Sequence, residues 1–411
     1  MFWQYLPMIL DNGSNTSRKE ITLHNKFKEP QVKIYSCSKI SSYAGGERLM
    51  LMILNYLLDR NYDATIIQNI GSRDISTVTE SHVLEEASGK LVSQKFKKYG
   101  FVKFFYHYLP ELDSICSDTN SISLIFIWRI PPISYLKRLS ERGVRVVFCL
   151  HGIAVEKFRV SHPYIMAHQI FTRWQVSRLA KFARNSIYVQ TLTNQVWVRL
   201  IDAGAERRNL IMIENAFEHS SMKVYRNDDE FQVIFIGRIE NLQKGINRLR
   251  RITTILFGLE PAIRIKIIGT GKDAKSLEHM HPNAKYMGNL PDMEKLGELS
   301  HSNLMILTSN TEPYPRVLIE GLFSGLPIVT TPTSGPSHII SKHREFGVVS
   351  SFSAYRMAHD ILKYYDLWKK SKEDYYEMKV RICKKAKEIF IEKVMLDSYT
   401  KMVDDILLSK T

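Results

Sequence analysis

Short apolar runs of strand length recur along the chain, separated by mixed intervals long enough for a helix. Residues 32–36, 64–68, 122–128, 145–150 and 186–189 form one set, followed by a three-residue run at 211–213. A second set occupies 231–236, 263–268, 284–287, 304–307 and 327–330. Between strands, Leu49, Ile53, Leu54, Leu57 and Leu58 share one face of a helical repeat over 47–58, and 193–203 also has helical spacing. Strands alternating with helices predict parallel sheets covered by helices. The alternation occurs twice, on either side of a polar stretch at 218–230. The expected fold class is therefore α/β, with two doubly wound, Rossmann-like domains facing across a cleft. Residues 1–30 are polar and turn-rich and read as a loose lead-in. They precede a first domain at 31–217, a linker at 218–230 and a second domain at 231–389; from 360 onward the chain is mostly helical and charged.

Composition narrows the picture. The chain has 411 residues, of which 44% are apolar, enough for two full cores. Four scattered cysteines suggest neither a zinc site nor a disulfide framework and suit a reducing compartment, so a cytoplasmic location is expected. No apolar run reaches 18 residues, and the amino terminus lacks the basic start of a secretory signal. The formal charge is +15, and residues 1–220 hold 28 Lys/Arg against 19 Asp/Glu. Such an excess favours an anionic partner: acidic lipid, nucleic acid or a phosphorylated small molecule. No zinc finger, RNA-recognition signature or long basic arm is present, so nucleic acid is not an expected partner.

The densest chemistry lies in Glu312-Pro-Tyr-Pro-Arg-Val-Leu-Ile-Glu320, between the apolar runs at 304–307 and 327–330. A strand, loop, helix and strand in this order place a ligand site at the carboxyl ends of the strands, with Glu312 in the loop and Glu320 on the helix. Two carboxylates so held can accept hydrogen bonds from two hydroxyl-bearing parts of one ligand; alternatively, both are solvated. Upstream, Arg238 and Lys244 flank a short loop after the run at 231–236. A guanidinium fork and a point charge at a strand end can bracket a diphosphate, or stand as two surface cations. Gly269 and Gly271 make a tight strand exit without a complete dinucleotide or phosphate-loop fingerprint. Gly45 and Gly46 allow backbone amides to approach an anion beside the helix that follows. His151 ends the run at 145–150, next to the permissive Gly152. No Asp-x-Asp pair stands near a strand end to hold a divalent ion, so no metal site is expected, and the cationic pair can neutralise a diphosphate by itself.

In this order the segments resemble the retaining glycosyltransferases of family four, which have the GT-B fold. The segments are Ala44-Gly-Gly-Glu-Arg48, His151-Gly152, Ile213-Glu-Asn-Ala216, Gly237-Arg-Ile with Lys244-Gly245, Ile268-Gly-Thr-Gly271 and Met287-Gly-Asn-Leu290. They continue with Glu312, seven residues, Glu320, then Gly325-Leu-Pro-Ile-Val-Thr330. The likeness runs from about residue 32 to the carboxyl terminus. It implies transfer of a sugar from a nucleoside diphosphate sugar with retention of configuration and no metal cofactor. Arg238 and Lys244 then fall on the donor diphosphate, and Gly45 and Gly46 on a loop closing over donor and acceptor. Glu320 falls on the ribose and Glu312 on the sugar near its C3 and C4 hydroxyls. His151 lies by the C6 hydroxyl and the reacting centre, and the loop from Gly288 to Leu290 receives the base. Residues 390–411 match terminal helices that cross back to the first domain. Where the family often has Gly and an aromatic after the first glutamate, this chain has Pro313 and Tyr314; proline removes one amide donor and stiffens the loop, which bears on sugar preference.

The chemistry expected of such a site is detachment of a diphosphate while positive charge grows on the sugar ring. Arg238, Lys244 and the amides at the helix entrance after Pro315, those of Arg316, Val317 and Leu318, would stabilise the leaving group. With no candidate nucleophile, same-face attack is expected, the departing phosphate oxygen helping to deprotonate the acceptor hydroxyl. The acceptor class is a glycan, free or lipid-linked. The alternatives are a nucleotide-sugar epimerase or a non-catalytic GT-B partner protein. Five lysines interleave with aromatic and aliphatic residues over 90–105, which reads either as an ordinary amphipathic helix or as a patch docking the first domain on an anionic inner membrane face.

Overall fold

In the computed structural model, the described residues are 31–37, 45–69, 90–94, 97–99, 107–112, 115, 121–156, 163–217, 222–277 and 280–409. The lead-in at 1–30, and part of the lysine-rich stretch, lie outside them. Each apolar run pairs with runs from across its own half of the chain. In the first half the strands are β1 (Gln31–Ser36), β2 (Asp63–Asn69), β3 (Leu91–Gln94), β4 (Lys97–Tyr99), β5 (His107–Leu109), β6 (Ile122–Phe126), β7 (Arg145–Cys149), β8 (Ile187–Thr191) and β9 (Leu210–Met212). Seven of them form a parallel sheet in the order β3-β2-β1-β6-β7-β8-β9, while β4 and β5 pair antiparallel in a separate two-stranded sheet. Every residue of β6 is buried, as a central strand covered on both faces requires. The helices of this half are α1 (Gly45–Leu58), α2 (Ile133–Arg142), α3 (Pro163–Ala180) and α4 (Asn194–Asp202).

The second half repeats the plan. Strands β10 (Gln232–Ile236), β11 (Arg264–Ile268), β12 (Ala284–Tyr286), β13 (Leu304–Leu307), β14 (Ile328–Thr330) and β15 (Gly347–Val349) form a parallel sheet in the order β12-β11-β10-β13-β14-β15. Its helices are α5 (Asn241–Lys244), α6 (Ile246–Leu259), α7 (Asp292–His301), α8 (Arg316–Phe323), α9 (Ser334–Lys342), α10 (Ala354–Lys370), α11 (Lys372–Ile389) and α12 (Glu392–Leu408). Two Rossmann-like sheets facing across a cleft are the GT-B architecture. In each sheet the strand order reverses beside the first strand, between β1 and β6 and between β10 and β13, and that reversal opens a crevice at the strands' carboxyl ends.

The last helix packs back on the first domain. Leu49, Ile53 and Leu57 of α1 share one apolar core with Tyr399, Met402 and Val403 of α12. At the edge of that core Tyr56 donates to the Asp397 carboxylate at 2.5 Å, Tyr62 donates to Asp404, and Tyr188 meets Ser409 at 3.1 Å. The apolar positions that set α1 as a helix thus also fasten the end of the chain.

Two local expectations change. Gly45 and Gly46 open α1 as its first residues, two positions ahead of where apolar spacing starts the helix. The part of 90–105 that is described is strand, β3 and β4, and not an amphipathic helix. Pairing with neighbouring strands overrides the local spacing there.

Candidate active site

The loop leaving β10 and the loop leaving β13 meet at the reversal point of the second sheet. Lys244 ends the single turn of α5, and its ammonium lies 2.5 Å from the Glu312 carboxylate. Lys244 is half-buried at 15% exposure and Glu312 buried at 8%. The Ser309 hydroxyl donates to the same Glu312 oxygen at 3.0 Å. The lysine main chain is held too, its carbonyl accepting from the Thr308 hydroxyl at 2.7 Å. Arg238 lies on the same loop but extends outward, 67% exposed, 3.7 Å from Glu240. One expected cation is therefore already paired with an expected carboxylate, while the other remains open to solvent.

Glu320 lies one helix away. Pro315 precedes α8 with extended backbone, and its ring removes an amide that a helix start would leave without a helical partner. Glu320 is buried and faces Arg316 at 3.0 Å, one turn earlier on α8, and Lys295 of α7 at 3.6 Å. Arg316 also covers the Phe217 ring, 4.6 Å from its centroid. The two glutamates therefore occupy separate cationic surroundings. Glu312 has Lys244, and Glu320 has Arg316 and Lys295.

The glycines after β11 are packed against backbone. An added Cβ at Gly269, where φ is +133°, would lie 2.0 Å from the Gly237 carbonyl oxygen, and one at Gly271 would lie 2.3 Å from that of Ile239. The Ile239 amide donates to Thr270 at 2.8 Å, and the Gly269 amide to Gly288 at 2.7 Å. These contacts stitch together the loops carrying Arg238, Gly269, Gly271 and Gly288, so the glycines shape the wall on which Arg238 stands. Leu290 is half-buried against the neighbouring core.

Across the cleft, Gly46 and Gly152 both approach Trp128; a Cβ at Gly152 would come within 2.4 Å of its ring. His151 lies at the end of β7, with Nε2 3.1 Å from the Gln190 amide oxygen and 3.1 Å from the Tyr399 hydroxyl of α12. Burial pulls its pKa down to about 4, only partly offset by the bond to Gln190, so the imidazole is neutral near pH 7. A cavity of about 550 Å³ opens beside this wall, between Trp128, Ile153 and Phe171 of the first domain and Leu242, Asn310 and Pro313 of the second.

Two carboxylates that sequence spacing does not single out bridge the domains. Glu156, five residues after His151, accepts from the Glu312 amide at 2.9 Å and from the Ser334 amide at 2.7 Å. Glu214 accepts from Lys342 at 2.5 Å, from the Tyr314 hydroxyl at 3.1 Å, and lies 3.1 Å from His338. Burial acts against its charge, but His338 and Lys342 outweigh it and pull the carboxyl down to about 2. Neither residue belongs to a spaced pair: Glu214 lies in the Ile213-Glu-Asn-Ala216 segment, which gives it no role of its own, and a single acidic residue such as Glu156 carries no signal until its partner is placed. Among the described residues no group of three or more His, Cys, Asp or Glu is arranged to hold a metal ion.

Residues 217–381 match the family model described as glycosyl transferases group 1. An uncharacterized glycosyltransferase from Haemophilus influenzae is 21% identical over 365 residues, covering 87% of this chain and 95% of the relative. Among solved structures, sucrose-phosphate synthase from Thermosynechococcus elongatus superposes with a TM-score of 0.69 at 11% identity, covering 93% of this chain and all of that one. HepE from Anabaena, solved in complex with UDP and glucose, gives a TM-score of 0.64 at 14% identity over 92% of this chain and all of that one.

Proposed function

We propose that the chain is a metal-independent retaining glycosyltransferase of family four, moving a hexose from a nucleoside diphosphate sugar to a hydroxyl of a glycan acceptor, free or lipid-linked. The Lys244–Glu312 pair at the sheet reversal, with Glu320 in a second cationic pocket one helix away, carries this reading. The match over 217–381 supports it, and HepE offers a relative in fold that was solved with UDP and glucose.

In this scheme Arg238 and Lys244 hold the donor diphosphate, helped by the amides of Arg316 and Val317; the expected Leu318 amide already donates to the Pro315 carbonyl at 3.1 Å. Glu320 takes the ribose, the turn from Gly288 to Leu290 the base, Glu312 the sugar hydroxyls and the neutral His151 the C6 hydroxyl. As the bond from sugar C1 to the phosphate oxygen breaks, that oxygen collects charge. It then takes the acceptor proton while the acceptor oxygen bonds C1 from the same face. Lys244, already beside Glu312, ties the charge on the leaving group to the sugar's position. The cavity by Trp128 and Phe171 abuts Pro313 and receives the acceptor. Closing the cleft limits water attack on the donor.

A panel of nucleotide sugars, read by nucleotide release with and without lipid-linked acceptors and with EDTA, tests the scheme, and NMR of the product's anomeric centre tests retention. Release from one donor that needs acceptor and persists in EDTA is the expected result. An epimer with its nucleotide still attached would instead identify an epimerase, and binding without turnover a partner protein. Docking of the basic first domain on an anionic inner membrane face is part of the same proposal, with Lys95 outside the described residues. Vesicle flotation at low and moderate salt checks it, and failure to float in either removes the docking alone.

A further inference from the structure

Glu156 is a carboxylate with a job that the transfer scheme leaves unassigned. It is 5% exposed, on the loop that follows β7 in the first domain, and both of its oxygens are used on the second. Oε1 accepts the Glu312 amide at 2.9 Å and Oε2 the Ser334 amide at 2.7 Å, the latter at the start of α9. Its own main chain is braced, since its carbonyl accepts from the Arg173 guanidinium of α3 at 2.6 Å. The two amides it joins are already close: the Gly335 amide donates to the Glu312 carbonyl at 2.8 Å, and a Cβ on Gly335 would stand 2.4 Å from the Pro313 carbonyl oxygen. A side chain reaching across a domain boundary to pin the backbone of a second carboxylate constrains both the boundary and that carboxylate.

We propose that Glu156 is a positioning residue, the clasp through which closure of the first domain sets the Glu312 backbone, and with it the Lys244–Glu312 pair, for the sugar. Glu156 touches no reacting atom in this scheme; it acts through Glu312. The catalytic consequence rests on the transferase reading, whereas the clasp itself rests on the geometry alone. The charged groups around it are the Glu312 carboxylate and its Lys244 partner on the second domain and Arg173 on α3, with the Thr311 hydroxyl also bonded to it. Burial raises the Glu156 carboxyl to about 7 against the pull of the two amides and Thr311, and the nearby Glu312 charge adds to the rise. An open cleft exposes the group and restores an ordinary carboxyl pKa. The closed form therefore binds a proton that the open form releases between about pH 4.5 and 7. Closure is thus favoured at low pH and weakens as pH rises through 7.

The test compares full-length wild type, Glu156→Gln and Glu156→Ala in two independent readouts. Small-angle scattering without substrate reads the cleft directly. The wild type should open as pH rises from about 4.5 to 7, the Ala variant should be open throughout, and the Gln variant should show no pH dependence in that interval. Steady-state kinetics with the identified donor should show kcat falling about ten- to a hundred-fold in Ala, with product nucleotide affinity unchanged because the Glu320 pocket is untouched. The Gln variant, keeping one acceptor oxygen, should recover part of kcat and lose the wild-type pH profile. An Ala variant with wild-type scattering, or a Gln variant with the wild-type pH dependence, overturns the clasp. Kinetic losses confined to nucleotide affinity overturn the positioning role. A wild type that opens as described but transfers no sugar leaves the clasp standing and defeats the transferase reading instead.

Discussion

Replacing Lys244 with Met removes the ammonium from a largely buried pair while keeping most of the apolar stem. Glu312, 8% exposed, then loses its cation and keeps the Ser309 hydroxyl at hydrogen-bond distance. Removing one partner of a buried ion pair costs about 3–5 kcal/mol, because the other charge stays desolvated. Ser309 places the expected loss near the lower figure, about 3 kcal/mol. At 2–4 °C per kcal/mol for a domain of this size, the second domain should melt roughly 6–12 °C lower. Adding Glu312→Gln removes the stranded charge, and the double variant should melt within about 1–2 kcal/mol of wild type. Scanning calorimetry at pH 7 follows the wild type, both single variants and the double variant. A nucleoside diphosphate at a hundred times its Kd should add about 2.7 kcal/mol to the wild type, and at the same concentration markedly less to Lys244→Met. A Lys244→Met midpoint within 2 °C of wild type, or a double variant whose loss equals the sum of the singles, would refute the idea of a coupled buried pair.

Three further outcomes follow, the first from the proposed transferase reading and the other two from the geometry. Glu320→Gln should weaken nucleoside diphosphate binding about 10- to 150-fold by calorimetry, while Glu312→Gln leaves it nearly intact and damages transfer; equal large losses in both would end the division between ribose and sugar. Gly269→Ala should destabilise by more than about 2 kcal/mol in urea, since φ is +133° and the new methyl meets the Gly237 carbonyl; a neutral result would mean the loops separate freely. The depressed Glu214 carboxyl contributes stability that is full above about pH 4.5 and lost as pH falls toward 2. Glu214→Gln should therefore flatten the melting-temperature profile across that interval, and an unchanged slope would remove the bridge to His338 and Lys342.

Apolar periodicity alone determined most of the strands and the two-sheet plan, because burial on both faces writes itself as continuous Val/Ile/Leu runs such as β6 and β10. The spacing of Glu312 and Glu320 likewise marked the loop and helix that bear them, since both lie on one short stretch whose local conformation the flanking strands impose. What the tertiary structure decided is partnership. That Lys244 belongs to Glu312 and not to open solvent follows from β10 and β13 being neighbours, a pairing between segments 60 or more residues apart. The packing of Gly269 and Gly271 against another loop, the turn of His151 toward Tyr399, and the two amides held by Glu156 depend in the same way on elements remote in sequence. Within the described part of 90–105, residues 91–94 and 97–99 are strand for the same reason, because strand pairing is a property of neighbours. A side chain's type and local pattern are written in the sequence, whereas the charge, donor or backbone it meets exists only once the two sheets are assembled and the last helix has returned to the first domain.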